Sequence, residues 1–169
     1  MRRVNTILLI LSVFAAFMLG ACKRYKNDVP SYPVQMEMNL LQYPYVTRLV
    51  YGGSFQTVSI TLYREYYLRH TFVNETIDVL RSEGSYVGYA GMLVWSDINN
   101  EFHACDLCCP HCLDRDMPVQ VDGQLAICPK CGEEFNLALG YATPTKGITR
   151  QPLRPFQIRY SNHILSIRN

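Results

Sequence analysis

The stretch CDLCCPHCLDRDMPVQVDGQLAICPKC, Cys105 to Cys131, concentrates six of the seven cysteines of the chain in one short window. Two clusters at its ends, C-C-P-H-C and C-P-K-C, each offer a pair of metal ligands. Disulfide frameworks spread cysteines along a chain, whereas neighbours such as Cys108 and Cys109 gain little by closing tiny loops. The pattern therefore predicts a metal held between two loops.

Two ligand sets fit this window, and a tetrahedral zinc accepts either of them. One set has two C-x2-C pairs separated by fifteen residues: Cys109, Cys112, Cys128 and Cys131. The other set has His111 in place of Cys112. Leu113 stands where a matching zinc loop often has glycine, which favours His111 and makes Cys112 the reserve ligand. Among the remaining cysteines, including Cys105, we expect one disulfide and one partly buried thiol.

The N-terminus has the pattern of an export signal. A basic Met1-Arg2-Arg3 precedes an apolar run that ends at Leu19-Gly20-Ala21-Cys22, so residues 1–21 are predicted to be a signal peptide. Leu-Gly-Ala-Cys also resembles a bacterial lipobox, which implies that Cys22 is lipidated. We therefore expect a protein of the bacterial cell envelope, held at the outer membrane by a lipid anchor.

The charge of the chain argues against a nucleic-acid partner. The formal net charge is +2, from 16 Lys and Arg against 14 Asp and Glu, and removal of Arg2 and Arg3 leaves 14 against 14. A near-neutral chain lacks the basic patch of a nucleic-acid-binding protein. Residues 22–33 are polar, contain two prolines and are predicted to be a flexible linker.

From residue 34 to 169 the sequence predicts one all-β domain. Apolar and polar residues alternate in runs such as Gln35 to Leu40, Thr57 to Tyr63 and Phe156 to Tyr160, which is the period of half-buried strands. The segment from Tyr63 to Val79 fits either an amphipathic helix or strand and loop, and we favour the strand interpretation.

Three hairpins are predicted in the second half of the chain. The first pairs a strand from Val87 to Ser96 with one from Glu101 to Leu107, and it leads directly into the first cysteine cluster. A short one from Val119 to Ile127 lies between the two clusters and brings them together. The last occupies the C-terminus, from Leu153 to Ile167.

Short motifs in the second half of the chain follow the order found in a known family. They are Cys109-Pro110-His111, Ile127 to Gly132, Phe135-Asn136-Leu137, Gly140 and Pro152-Leu153. Together they resemble a Rieske [2Fe-2S] domain, which carries C-P-H in one loop and C-P-x-H-G in the next. In particular, the sequence resembles Rieske-type lipoproteins of the Bacteroides group, in which cysteine replaces the last histidine. The resemblance implies an antiparallel β-sandwich whose metal-binding tip, about residues 105–135, is formed by two loops.

The resemblance also implies a [2Fe-2S] cluster that transfers electrons to or from a partner protein. Its ligands would be Cys109, His111, Cys128 and Cys131. Because Cys131 replaces a neutral histidine, the cluster would carry more negative charge and have a lower reduction potential. Glu133, where the family often has serine, would lower the potential further.

A non-redox alternative stays open, in which a structural zinc holds together a binding or scaffold module of the envelope. Both alternatives lack a substrate site of their own. No Ser-His-Asp set, glycine-rich phosphate loop or pair of carboxylates stands out in the sequence. We therefore expect a protein component that is not itself an enzyme.

Overall fold

The computed structural model describes residues 27–42, 44–50, 56–73 and 75–169. Within these ranges the chain forms thirteen β-strands and one π-helical turn, Val46–Val50. The strands are β1 (Val34–Asn39), β2 (Gln56–Arg64), β3 (Tyr67–Thr71), β4 (Thr76–Leu80), β5 (Tyr86–Val87), β6 (Met92–Ser96), β7 (Phe102–Asp106), β8 (Gln120–Asp122), β9 (Leu125–Ile127), β10 (Glu134–Asn136), β11 (Thr143–Lys146), β12 (Gln157–Ser161) and β13 (Ile164–Arg168). The all-β prediction is confirmed.

The strands form three antiparallel sheets. The first has the order β12-β13-β1-β5, the second β4-β3-β2-β6-β7 and the third β11-β10-β9-β8. In β1 the alternation read from the sequence is present, because Val34, Met36 and Met38 are buried while the residues between them face solvent. These buried side chains pack with Leu165 and Ile167 of β13 in a core shared by the first and second sheets.

The second sheet is central, and strand β6 is buried on both of its faces. Met92 and Val94 belong to the core shared with the first sheet. Leu93 and Trp95 belong to a second core, which also contains Phe135 of the third sheet. A continuous apolar run in one strand is what burial on both faces requires. The domain therefore has a core on each side of its central sheet.

The three predicted hairpins are present, with one correction to the first. The β6–β7, β8–β9 and β12–β13 pairs are antiparallel neighbours. The predicted strand from Val87 to Ser96 is instead two strands, because β5 pairs with β1 and only β6 pairs with β7. Gly91 lies at the break with φ +116, and a side chain there would collide with the carbonyl oxygen of Ile60. The chain therefore changes sheet between β5 and β6.

The ambiguous segment from Tyr63 to Val79 forms strands, as favoured. It contains the end of β2, the whole of β3 and most of β4, and these three strands are sequential neighbours in the central sheet. The alternating burial in β3 places Leu68 and His70 in the core. Pairing with neighbouring strands thus determines the structure of this segment, whose local sequence pattern is compatible with either a helix or strands.

The predicted signal peptide, residues 1–21, and the predicted lipidation site Cys22 lie outside the described residues. Residues 27–29 of the predicted flexible linker contact the C-terminal part of the domain. Val29 is buried, and its carbonyl oxygen accepts a hydrogen bond from Arg154 at 2.6 Å. The Asn27 amide donates to the carbonyl oxygen of Pro152 at 3.0 Å. Among the described residues, no helix has the length and hydrophobicity needed to span a membrane.

Candidate metal centre

The two cysteine clusters leave the ends of strands in different sheets. The first follows β7 of the central sheet, and the second follows β9 of the third sheet. Trp95 on β6 joins these sheets, because its indole N–H donates to the carbonyl oxygen of Leu137 at 2.9 Å. Packing of the third sheet on the central one therefore brings the clusters face to face.

Asp106 fixes the entry to the first cluster. Its side chain is 1% exposed, and its two oxygens accept hydrogen bonds from the backbone N–H groups of Tyr89, Ala90 and Cys108 at 2.7, 3.1 and 2.8 Å. Burial raises the pKa of Asp106, and the three N–H groups and Arg154 oppose this effect. Asp106 was not among the residues predicted from the sequence, although a carboxylate inside the apolar run from Ala104 to Cys109 was a visible signal.

The two clusters have the same backbone geometry. In the first, the N–H of Leu113 donates to the carbonyl oxygen of Cys109 at 2.9 Å; in the second, the N–H of Gly132 donates to Cys128 at the same distance. Leu113 and Gly132 both have left-handed backbones, with φ of 52° and 72°. Leu113 thus adopts the conformation expected of glycine, which removes the argument against Cys112 that rested on the residue type at this position.

Four thiols meet where the clusters face each other. The Sγ atoms of Cys109 and Cys131 are 3.8 Å apart, and those of Cys112 and Cys128 are also 3.8 Å apart. All four Sγ atoms lie within 4.8 Å of one another. Cys109 and Cys128 are buried, whereas Cys112 is half-buried and Cys131 is exposed. These four cysteines could hold a metal ion.

The pKa values of the two buried cysteines, Cys109 and Cys128, shift in opposite directions. Burial raises the pKa of Cys109 to about 12, although the backbone N–H groups of Cys112 and His111 act in the opposite direction. For Cys128, burial is outweighed by the N–H groups of Cys131 and Lys130 and by neighbouring thiols, which lower its pKa. Metal ligation requires thiolates, and a bound cation would offset the burial that otherwise favours protonated thiols.

An ion pair also joins the two cysteine clusters, beside the four thiols that face each other. The ammonium group of Lys130 lies 2.8 Å from a carboxylate oxygen of Asp114. The pair is partly exposed, so its contribution to stability is modest. A lysine within the second C-x2-C pair and an aspartate just after the first were visible in the sequence, but nothing there showed that they meet.

No protein-family model, no curated protein and no solved structure matches this chain. The resemblance to Rieske-type lipoproteins is therefore supported by the sequence motifs alone. Metal-binding capacity follows from the arrangement of the four thiols and does not depend on that resemblance.

His111 is not one of the side chains grouped around the four thiols, although it lies close to one of them, Cys131. It is grouped with Cys131 and Glu133, and its Nδ1 atom is 3.9 Å from a carboxylate oxygen of Glu133. The His111 side chain is 43% exposed, whereas that of Glu133 is 1% exposed. Of the predicted ligands, the structure brings Cys109, Cys128 and Cys131 together with the reserve ligand Cys112.

Glu133 is directed toward the loop after β11. One carboxylate oxygen accepts hydrogen bonds from the backbone N–H groups of Ile148 and Thr149. The other oxygen is buried and has no hydrogen-bond partner among the described residues. Because two N–H groups already hold its carboxylate, Glu133 organises this loop and links it to the second cluster.

The remaining cysteines of the window are free thiols, which corrects the expected disulfide. Cys105 and Cys108 are both buried, and neither is bonded to another cysteine. Burial raises the pKa of both thiols, to about 12 for Cys108. Cys105, Cys108 and Cys109 all pack in the second core. Cys105 and Cys108 are thus core residues next to the candidate metal centre.

Proposed function

We propose that this chain is a metal-binding structural module in which Cys109, Cys112, Cys128 and Cys131 hold one zinc ion. The observation that carries the proposal is the pair of 3.8 Å distances between thiols of opposite clusters. Four sulfurs at about 2.3 Å from a central zinc form a tetrahedron with edges of about 3.8 Å. The four thiols therefore fit the ligand shell of a single ion.

The ligand geometry supports a structural role for this ion. Four protein ligands leave no open position for water or substrate, which is the property that separates structural zinc sites from catalytic ones. The ion would join the end of β7 to the end of β9, and thus the central sheet to the third sheet. We infer a non-redox binding or scaffold module.

The second candidate function is electron transfer by a [2Fe-2S] cluster. The C-P-H and C-P-K-C-G motifs favour it through their likeness to Rieske domains, with ligands Cys109, His111, Cys128 and Cys131. When bound, such a cluster would carry one electron to or from a partner protein. Its two irons each take two ligands, so ligands on different irons lie farther apart than the edge of one tetrahedron. The close grouping of all four thiols therefore supports the single zinc ion better.

The proposed cellular setting is the bacterial envelope. It is supported by the signal-like residues 1–21 and by the lipobox-like sequence that ends at Cys22. A lipid anchor would hold the module at the outer membrane. Labelling of cells with a radioactive fatty acid, compared between the unchanged chain and Cys22→Ser, tests this setting; unchanged label in the variant would refute it.

Metal analysis of the protein purified without air separates the two candidate functions. The zinc proposal predicts a colourless protein with about one zinc per chain, as one tetrahedral site requires. A red-brown protein that contains iron and acid-labile sulfide, and that bleaches on reduction, would overturn it. Cobalt substitution adds a direct test, because four thiolates give intense sulfur-to-cobalt absorption bands typical of a tetrahedral site.

Two variants of neighbouring residues identify the fourth ligand. Cys112→Ala is expected to lose most bound zinc, because three thiolates remain, whereas His111→Ala should keep about one zinc per chain. Cys108→Ala is the matched control, since Cys108 is a buried cysteine of the same loop that lies outside the thiol group. The reverse result, zinc lost in His111→Ala and kept in Cys112→Ala, would assign the site to the other ligand set.

A further inference from the structure

A cleft with a cavity volume of about 570 Å³ lies apart from the four thiols. Residues 32 and 33, strand β5, the central sheet and the loop before β8 form its walls. Binding sites for small molecules commonly have volumes of about 300–1,000 Å³. The cleft is therefore large enough for a compact ligand.

One wall of the cleft carries an arginine above a pair of tyrosines. The rings of Tyr32 and Tyr89 have centroids 5.3 Å apart. The guanidinium carbon of Arg115 lies 5.8 Å from the centroid of Tyr32 and 5.7 Å from that of Tyr89. Contact with two rings restricts the arginine side chain while its N–H groups stay available to a ligand.

A second arginine and tyrosine line the same cleft from a different part of the chain. The guanidinium carbon of Arg81 lies 5.2 Å from the centroid of the Tyr86 ring. The Nε atom of Arg81 donates to the carbonyl oxygen of Ser85 at 2.8 Å, which fixes the orientation of the group. Tyr86 is 46% exposed, so much of its side chain is accessible to a ligand.

The charge of the lining favours an anion. Neither Arg81 nor Arg115 forms an ion pair with a carboxylate of the described residues, unlike Arg48 and Arg69. Asp116 is the acidic residue among those that line the cleft. Two guanidinium groups against one carboxylate leave a net positive charge, and planar guanidinium forks match carboxylate and phosphate oxygens.

We propose that this cleft binds a small organic anion that combines a carboxylate or phosphate group with a flat ring. Arg81 and Arg115 bind the anionic group, and the rings of Tyr32, Tyr86 and Tyr89 pack against the body of the ligand. This activity is independent of the proposed zinc function. The module would then bind a small organic ligand in addition to its structural metal ion.

Calorimetric titration of the full metal-loaded chain tests the proposal with three related probes. Phenyl phosphate carries both the ring and the anion, inorganic phosphate carries only the anion, and phenol carries only the ring. Phenyl phosphate should bind tighter than either partial probe by about tenfold or more, because both parts contribute, and its affinity should fall with added salt. Benzoate in place of phenyl phosphate distinguishes a carboxylate ligand from a phosphate ligand.

Variants on two elements test the role of the arginines. Arg81→Gln and Arg115→Gln should each weaken phenyl phosphate binding by about tenfold, the loss expected for one charge-assisted hydrogen bond. Arg159→Gln is the matched control, because Arg159 is an exposed arginine of β12 outside the cleft. Metal content and thermal unfolding of each variant establish that it is folded. Absence of binding of both phenyl phosphate and benzoate, or equal weakening in Arg159→Gln, would overturn the proposal.

Discussion

At the scale of single residues, the left-handed positions Leu113 and Gly132 determine how the two cysteine clusters close. Each follows its cluster, and their N–H groups donate to the carbonyl oxygens of Cys109 and Cys128, respectively. A left-handed backbone costs about 1–2 kcal/mol in residues that have a Cβ atom, and glycine avoids this cost. The first cluster therefore carries strain in Leu113 that the second cluster does not.

The substitution Gly132→Ala tests this backbone argument. No atom lies within 4 Å of the position of an added Cβ, so the cost is conformational and involves no collision. We expect the free energy of unfolding to fall by about 1 kcal/mol, measured by urea denaturation of the metal-loaded protein. Gly132→Asn should lose less, because asparagine tolerates left-handed backbones better than alanine. Equal stability of Gly132→Ala and the unchanged protein would contradict the argument.

At the scale of elements, a buried hydrogen bond joins β3 to the segment that contains the π-helical turn. The Nδ1 atom of His70 on β3 lies 2.8 Å from the hydroxyl oxygen of Tyr45. The Nε2 atom of His70 is buried without a partner among the described residues. Burial lowers the pKa of His70 from 6.5 to about 4 and raises that of Tyr45 to about 12. Both groups are therefore uncharged in the folded protein at neutral pH.

This burial predicts a loss of stability in mild acid. The folded pKa of His70 is below its unfolded value of 6.5, so the unfolded chain binds a proton first as the pH falls. The contribution is fully present above about pH 6.5 and decreases as the pH falls toward about 4. We expect the free energy of unfolding to drop by about 2 kcal/mol between pH 7 and pH 5.

Denaturation curves of the unchanged chain and of His70→Gln, each measured at both pH values, isolate this effect. Glutamine does not titrate, so the pH dependence of the variant should be smaller by about the same 2 kcal/mol. The other acidic groups are common to both proteins and cancel in the comparison. Parallel pH profiles for the two proteins would show that His70 does not carry the effect.

The strands show which elements a sequence can predict. Hairpins were predictable because two alternating runs and a turn are adjacent in the chain, as in β12–β13. The break between β5 and β6 was not predictable, because β5 pairs with β1, which is more than forty residues away in the sequence. The position of Cys112, rather than His111, beside the other three thiols was not predictable either. It depends on how the loop of Cys109 faces Cys128, and that is set by packing between sheets.

At the scale of the whole molecule, the first described residues contact the segment that precedes β12. Asn27 and Val29 bond to Pro152 and Arg154, contacts that span 125 residues of sequence. Polar composition and two prolines made this segment look like a linker, because composition does not report long-range contacts. Asn27 and Val29 therefore pack on the folded domain, and Tyr32 of the same segment lines the cleft.

The two cores predict that removing the proposed zinc ion loosens one part of the molecule before the other. Strands β8, β9 and β10 have three residues each, and the core beneath them includes Cys109 and Cys128. The first sheet instead pairs β1 with β13 over five residues and packs in a core with no cysteine. We expect a chelator to accelerate hydrogen exchange in β8–β10 by about tenfold or more while β1 and β13 change little. Restored zinc should restore protection, whereas equal acceleration in both regions would mean that the metal stabilises the domain as one cooperative unit.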